Sequence, residues 1–146
     1  MDNQKNTHKI LIVDDDQDDR DFLIDALLEI DPDIVINELA DGISLMNSLL
    51  ENSEKIPDII FLDINMPGKS GLQCLKEIKM HNGNLKNVRV IMLSTSSDPS
   101  DIETAHELGA SYYAVKPNSL GTMRSFLEKI INMDWNIQSP YQFRLI

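Results

Sequence analysis

The sequence predicts an α/β fold in which helices cover both faces of a five-stranded parallel sheet. Five short apolar runs alternate with segments whose apolar residues recur every three or four positions, and this alternation is typical of parallel sheets. The runs are apolar almost throughout, as expected of strands that are covered on both faces. Polar or charged residues directly follow four of the five runs, at the sheet edge where ligands usually bind.

Composition indicates one globular domain with an acidic surface. The 146 residues are 42% hydrophobic and 25% charged. This length and hydrophobic content are enough to form a core. A formal net charge of -11 disfavours binding to nucleic acid or anionic lipid, because both attract basic surfaces. One cysteine, Cys74, excludes an internal disulfide. The N-terminus has no apolar signal core and no run is long enough to span a membrane, so we expect a cytoplasmic protein without membrane or nucleic-acid partners.

The first half of the chain contains two strand–helix units and a third strand. Residues 9–13 are apolar and β-branched, and the helical stripe that follows them ends before a proline. Residues 34–39 form a second, more polar strand, which suggests a sheet edge, and residues 43–50 form a short second helix. Residues 57–62 then form the third strand, which ends at Asp63.

The second half continues the alternation. Asp98 and Pro99 are a helix cap and a first helical residue, and Gly109 ends that helix. The predicted elements are a helix after Gly71, a strand at 88–93, the helix after Asp98, a strand at 111–115 and a helix at 120–131. The chain is thus divided into a flexible N-terminus (1–8), one domain (9–134) and a C-terminal tail without assigned structure (135–146).

The polar residues at the strand ends form one predicted site. Asp14 and Asp15 follow the first strand, Asp63 the third, Ser94 the fourth and Lys116 the fifth, so the fold should bring them together. Clustered carboxylates repel one another unless a cation is present, and Mg²⁺ suits one or two carboxylates with water. A cation, an ammonium and a hydroxyl together suit a phosphoryl group. Asp63 is then the natural nucleophile, because a carboxylate can form an acyl phosphate.

Each of these residues also has a plainer interpretation. The acidic triplet from Asp14 to Asp16 can be a solvated turn, and we assign Asp16 to a helix cap. Asp63 can be a cap, Ser94 a backbone-bonding hydroxyl and Lys116 a surface lysine, but their joint placement favours the chemical interpretation. The other acidic residues near the start of the first helix are predicted to lie on its outer side, namely Asp18, Asp19 and Asp21.

The chain resembles the CheY-like receiver domain of two-component response regulators. Four segments carry the resemblance, at residues 10–16, 58–71, 90–94 and 109–117. It implies a flavodoxin-like, doubly wound sheet with strand order 2-1-3-4-5 and five helices. The acidic run 15–20 and Trp135 are similar to stand-alone regulators found beside phytochrome-type and related hybrid histidine kinases. Some of these relatives form homodimers, so self-association is left open.

The resemblance implies a role for each matching residue. In the family, the residue that matches Asp63 accepts phosphate from a histidine kinase or a phosphotransfer protein. The implied Mg²⁺ (or Mn²⁺) ligands are Asp14, Asp15, Asp63 and the backbone carbonyl oxygen of Asn65. Ser94 matches the switch hydroxyl and Tyr113 the switch ring, although Tyr113 can equally be a core ring. Lys116 matches the lysine that pairs with the phosphoryl group, and a cis peptide bond is expected before Pro117.

Further residues near the site are expected to modulate it. Thr95 stands where the family usually has Ala or Gly, and we expect it to narrow access to the phosphoryl site. Asn118 replaces a commonly apolar residue and is expected to help cap the last helix. Ser96 and the Asn65 side chain flank the expected position of the attacking water, so both should influence the dephosphorylation rate.

Three functions are compatible with this pattern. We favour a phosphorylated signalling switch without an output domain, which binds an unknown downstream protein and is not an enzyme for other substrates. A Mg²⁺-dependent phosphohydrolase is disfavoured, because Asn65 stands where haloacid-dehalogenase-type enzymes carry an acid. A pseudo-receiver that works without phosphate is disfavoured because every key position is filled. A dinucleotide-binding fold is disfavoured because acidic residues, not glycines, follow the first strand.

Overall fold

A five-stranded parallel sheet forms the centre of the molecule. The computed structural model describes residues 8–51, 55–133, 135 and 142–146. Within them the strands lie in the order β2-β1-β3-β4-β5, and all neighbours are parallel, which confirms the predicted fold. The strands are β1 (Lys9–Val13), β2 (Val35–Leu39), β3 (Ile59–Leu62), β4 (Arg89–Ser94) and β5 (Tyr112–Val115).

Helices cover the sheet in two layers. Helices α1 (Gln17–Ile30) and α5 (Leu120–Ile131) pack against each other on one face. The opposite face carries α2 (Gly42–Glu51), α3 (Gly71–Met80), α4 (Pro99–Glu107) and a short 3-10 helix, Asn84–Asn87. In the part of the chain that is described, no helix has the length and apolar character needed to cross a membrane.

Two apolar cores separate the sheet from its helical layers. Successive residues of a strand point to opposite faces, so Ile60 and Leu62 of β3 enter the core beneath α2, α3 and α4. Ile59 and Phe61 enter the core beneath α1 and α5. All four side chains are at most 1% exposed, which explains why this strand is apolar at every position. The more polar β2 is partly exposed at the sheet edge, as its sequence predicted.

The end of the chain lies beside the other edge strand, β5. The Tyr113 N–H donates to the Phe143 carbonyl at 3.0 Å, and the Leu145 N–H donates to the Tyr113 carbonyl at 2.9 Å. Residues 142–146 of the unassigned tail therefore extend the sheet at its edge. The sequence predicted a flexible N-terminus at 1–8 and a tail without assigned structure at 135–146. Within these ranges, residues 1–7 and 136–141 lie outside the described residues.

Two backbone predictions are wrong. Peptide bonds are trans throughout the described residues, so the bond before Pro117 is not cis; the trans isomer is favoured by about 0.5–1 kcal/mol in X–Pro bonds, and sequence alone does not set the isomer. Asn118 does not cap the last helix. The cap is Ser119, whose hydroxyl oxygen accepts a hydrogen bond from the Thr122 N–H at 3.3 Å, the usual capping geometry.

Candidate functional site

Three carboxylates meet at the carboxyl edge of the sheet. Asp14 and Asp15 follow β1 and Asp63 follows β3, and one oxygen from each lies within 4.8 Å of the others. Asp14 and Asp63 are each only 6% exposed, whereas Asp15 is exposed. The fold thus joins residues that lie far apart in sequence into one acidic cleft.

The backbone holds the two buried carboxylates in place. The Asp14 N–H donates to the last carbonyl of β2 at 3.1 Å, and the Asp63 N–H donates to the last carbonyl of β1 at 3.0 Å. Gly71 closes the loop after β3, where its N–H donates to the Ile64 carbonyl at 2.9 Å. A Cβ atom at Gly71 would lie 2.0 Å from the Asp63 carbonyl oxygen. The loop that carries Asp63 therefore requires glycine at this position.

Lys116 brings a positive charge from β5 to the carboxylates. Its backbone N–H donates to the Ser94 carbonyl at 2.8 Å, and its side chain is 12% exposed. The Lys116 Nζ atom lies 2.6 Å from Asp14 Oδ2, 2.8 Å from Asp19 Oδ2 and 3.8 Å from Asp63 Oδ2. The ammonium therefore donates hydrogen bonds to Asp14 and Asp19 and lies beyond hydrogen-bonding distance of Asp63.

Helix α1 contributes residues that sequence interpretation did not include in the site. Asp19 was predicted to lie on the outer side of the helix, and its contact with Lys116 shows that this prediction is wrong. Arg20 donates from its guanidinium to the Asp14 carbonyl at 2.6 Å and to Glu38 Oε1 at 2.8 Å. Acidic residues in the first turn of a helix are common because they complement its dipole, so no sequence signal distinguished Asp19. Asp16 caps α1 as predicted, since its carboxylate accepts from the Asp19 N–H at 3.2 Å.

Burial changes the acidity of the charged groups in the cleft. Loss of solvent raises the pKa of Asp63 to about 6; the charge of Lys116 lowers this pKa and the charge of Asp14 raises it. Burial alone lowers the pKa of Lys116, but hydrogen bonds with Asp14 and Asp19 raise it more, so its net shift is upward. Lys116 is therefore charged at neutral pH, while the pKa of Asp63 stays above its usual value because burial outweighs the attraction of the Lys116 ammonium.

A second hydrogen-bonded group links the end of β4 to β5. The fully buried Ser94 accepts a hydrogen bond on Oγ from the Ser96 N–H at 3.2 Å. The Tyr113 ring is also fully buried, and its hydroxyl donates to the Ser96 carbonyl at 2.7 Å. The Ser96 hydroxyl donates to Asp101 at 2.7 Å. Ser96 thus connects the end of β4 to the tyrosine ring and to α4, a role that the sequence pattern did not reveal.

Two other residues of interest lie in exposed loops. Asn65 follows β3 and Thr95 follows β4, and both are exposed. Neither contributes to the hydrogen bonds described above. Both lie near the cleft because they are close in sequence to its buried residues. Asn65 is two residues after Asp63, and Thr95 directly follows Ser94.

The acidic cleft fits a divalent cation. Carboxylate oxygens of Asp14, Asp15 and Asp63 are close enough to share one ion, and such hard ligands suit Mg²⁺ or Mn²⁺. Burial is the main cause of the raised pKa of Asp63, and a nearby cation would favour the charged form of this carboxylate. These three residues could therefore hold a divalent metal ion.

Comparison with known proteins identifies the family. The model of the response regulator receiver domain matches residues 10–128. The chain belongs to this family. Response regulator Rcp1 of Synechocystis sp. is 31% identical to it over an alignment of 138 residues that covers 89% of this chain and 91% of that protein. The resemblance inferred from the sequence is therefore confirmed, and the chain is a phosphoacceptor receiver domain of two-component signalling.

Solved structures of receiver domains support the same assignment. The phosphorylated cyanobacterial phytochrome response regulator RcpA superposes with a TM-score of 0.79 at 27% identity, covering 92% of this chain and 99% of that one. The Mn²⁺-bound form of Rcp1 gives a TM-score of 0.77 at 28% identity, covering 91% of this chain and 99% of that one. These relatives are signalling regulators.

Proposed function

We propose that Asp63 is the residue that accepts the phosphoryl group in this receiver domain. We further propose that the domain spans residues 9–134. The observation that carries the proposal is the position of its buried carboxylate, beyond the end of β3 with two further carboxylates and one ammonium around it. Loss of solvent raises the pKa of this carboxylate to about 6. At neutral pH most of this carboxylate is ionised and can act as a nucleophile.

The proposed donor is the phosphohistidine of a histidine kinase or a phosphotransfer protein. An Asp63 oxygen forms a bond to phosphorus while the phosphorus–nitrogen bond of the donor breaks. The imidazole leaves with the electron pair of that bond and takes up a proton. Lys116, with its Nζ atom 3.8 Å from Asp63, is near enough to pair with the new phosphoryl oxygens. We place this reaction in the cytoplasm, where ATP-dependent phosphodonors work.

The proposed cofactor is Mg²⁺. Asp14, Asp15 and Asp63 would hold it, together with the backbone carbonyl oxygen of Asn65. When bound, the ion supplies positive charge that offsets the negative charge of the phosphoryl oxygens. The existence of a Mn²⁺-bound form of the similar Rcp1 supports the binding of a divalent ion.

The proposed output is a change in the β4–α4–β5 region. A phosphoryl group adds a charge of about -1.5 to -2 at the sheet edge where β4 ends, and the proposed hydrogen-bond partner of this group is the Ser94 hydroxyl. Ser94 would then give up its bond from Ser96, which also binds the Tyr113 hydroxyl. The altered surface of α4, β5 and α5 would bind a downstream protein, while Thr95 and Ser96 tune access and phosphoryl lifetime. Self-association stays a prediction.

Intact mass spectrometry tests the proposal. The protein is incubated with Mg²⁺ and acetyl phosphate, and we expect a mass gain of one phosphoryl group in the wild type and in the exposed-residue control Asp18→Asn. Asp63→Asn should show no gain. An unmodified wild type with an intact circular dichroism spectrum, or an equally modified Asp63→Asn, would overturn the assignment.

The same preparation addresses the alternative functions. A signalling receiver should release at most the phosphate that it took up, since we propose no other substrate. Sustained turnover of unrelated phosphomonoesters would instead favour a phosphohydrolase. An unchanged wild-type mass at high acetyl phosphate concentration would favour a phosphate-independent interaction module.

A further inference from the structure

The ammonium of Lys116 is shared unequally among three carboxylates. It donates to Asp14 at 2.6 Å and to Asp19 at 2.8 Å, but it lies 3.8 Å from Asp63. An ammonium carries three N–H donors, so Asp14 and Asp19 engage two of them. Asp63, the buried carboxylate at the centre of the cleft, is left without a hydrogen bond from the nearest cation.

The start of α1 directs the Asp19 carboxylate to this lysine. Asp16 is the N-cap and Asp19 is three residues further on, where an acidic side chain commonly turns back to the N–H of the cap residue. Here the Asp16 N–H is instead bound by Asp14 Oδ1 at 2.9 Å. The Asp19 N–H donates a hydrogen bond to the Asp16 carboxylate. The Asp19 side chain is 43% exposed and contacts Lys116 across the cleft. Capping therefore anchors the Asp19 backbone while its carboxylate remains available to the lysine.

We propose that Asp19 is a positioning residue that draws the Lys116 ammonium away from Asp63 and so keeps the Asp63 carboxylate open to a metal ion and a phosphodonor. The proposal rests on the phosphoacceptor function proposed above. Its physical basis is competition, because lysine and a divalent cation seek the same oxygens of Asp14 and Asp63. Asp19 offers the ammonium an oxygen outside the cluster that could hold the metal, since that cluster consists of Asp14, Asp15 and Asp63.

The first test uses metal-free protein and so does not depend on phosphorylation. In a crystal structure of Asp19→Asn grown with a chelator, we expect Lys116 Nζ to move from 3.8 Å to within hydrogen-bonding distance of Asp63, about 2.7–3.2 Å. Asp18→Asn, which removes an exposed charge one residue away, should leave the lysine in place. A lysine that stays beyond 3.5 Å from Asp63 in Asp19→Asn would overturn the inference, whatever the protein does with phosphate.

The second test measures Mg²⁺ binding by isothermal titration calorimetry. Because the displaced lysine would occupy oxygens that Mg²⁺ needs, Asp19→Asn should weaken Mg²⁺ binding by about three- to tenfold, and Asp18→Asn by less than twofold. Asp19→Glu, which keeps the carboxylate, should bind Mg²⁺ more tightly than Asp19→Asn does. In protein that already carries Lys116→Met, Asp19→Asn should weaken Mg²⁺ binding no more than Asp18→Asn does. This is expected because the effects of coupled residues are not additive.

The outcomes separate the two proposals. If Asp19→Asn weakens Mg²⁺ binding just as much in the absence of Lys116, the Asp19 carboxylate acts only through its negative charge. The positioning role would then be wrong. A wild type that neither binds Mg²⁺ nor accepts phosphate would overturn the proposed function, while the metal-free lysine position would still decide the inference.

Discussion

At the scale of single residues, burial makes the Asp63 carboxylate a source of pH-dependent instability. Its pKa is about 6 in the folded protein against 3.8 for a fully solvated aspartate. Between these two values the folded state binds more protons than the unfolded state, so the free energy of unfolding falls as the pH rises through this window. This loss of unfolding free energy is complete above about pH 6. It disappears as the pH falls below the pKa that Asp63 has in the unfolded state.

Asp63→Asn should therefore stabilise the metal-free protein at neutral pH. We expect the free energy of unfolding to rise by roughly 1–3 kcal/mol at about pH 7.5, and the gain to shrink steeply towards pH 4. Urea unfolding followed by circular dichroism in a chelating buffer measures both values. Asp18→Asn is the control, and an Asp63→Asn gain that does not vary with pH would contradict the assigned cause.

Sequence predicted the residues that end strands better than those that reach the site from a helix. Asp63 and Lys116 were selected because a charged residue directly after a buried strand lies at a known edge of the sheet. Asp19 was not, because an acidic residue in the first turn of a helix is compatible with several side-chain directions. Its contact with Lys116 depends on the Asp16 N–H being taken by Asp14, a tertiary detail without a sequence signature.

At the scale of elements, the β3–α3 connection is held by a close backbone approach. The N–H of Gly71 bonds Ile64, and an added Cβ would meet the Asp63 carbonyl oxygen at 2.0 Å and the Ile64 Cα at 2.9 Å. Both obstacles are backbone atoms, which cannot swing away as a flexible side chain can. The loop that carries Asp63 is therefore intolerant of any side chain at this position.

Gly71→Ala should lower the free energy of unfolding by at least about 2 kcal/mol, because overpacking costs about 1–3 kcal/mol even where neighbours can adjust. The matched control is Gly121→Ala in α5, where an added Cβ would lie 3.6 Å from the Ser119 hydroxyl. That change should be neutral or stabilising by up to about 1 kcal/mol, since alanine favours helices. Chemical unfolding compares the two, and equal stabilities would contradict the close approach.

Element boundaries and the chain end show where sequence patterns stop being sufficient. The fifth strand was predicted from residue 111 and begins at Tyr112; the Ser111 N–H already donates to the Val90 carbonyl of β4 at 2.8 Å, and element ends commonly differ by one or two residues. The edge pairing of Phe143 and Leu145 with Tyr113 was not foreseen. A short segment has no strand-length periodicity, and its position depends on an edge that exists only in the folded sheet.

At the scale of the whole molecule, a cation in the cleft should be coupled to global stability. The carboxylates come from the ends of β1 and β3, and these strands are joined to α1 and to the rest of the sheet. Unfolding separates Asp14 from Asp63 along the chain and so destroys the site. A ligand that binds only the folded state stabilises it by RT ln(1 + [L]/Kd).

Mg²⁺ should therefore raise the melting temperature of the wild type, and its removal by a chelator should reverse the change. At a concentration of about one hundred times Kd the expected stabilisation is about 2.7 kcal/mol, or roughly 5–10 °C for a chain of this size. Asp15→Asn is the informative variant, because this side chain is exposed and its loss should leave the metal-free melting temperature nearly unchanged while abolishing most of the Mg²⁺ shift. Differential scanning calorimetry with and without Mg²⁺ measures all four values. A Mg²⁺ shift of equal size in Asp15→Asn would show that the ion binds elsewhere, whereas a large metal-free loss would mean that Asp15 supports the fold itself.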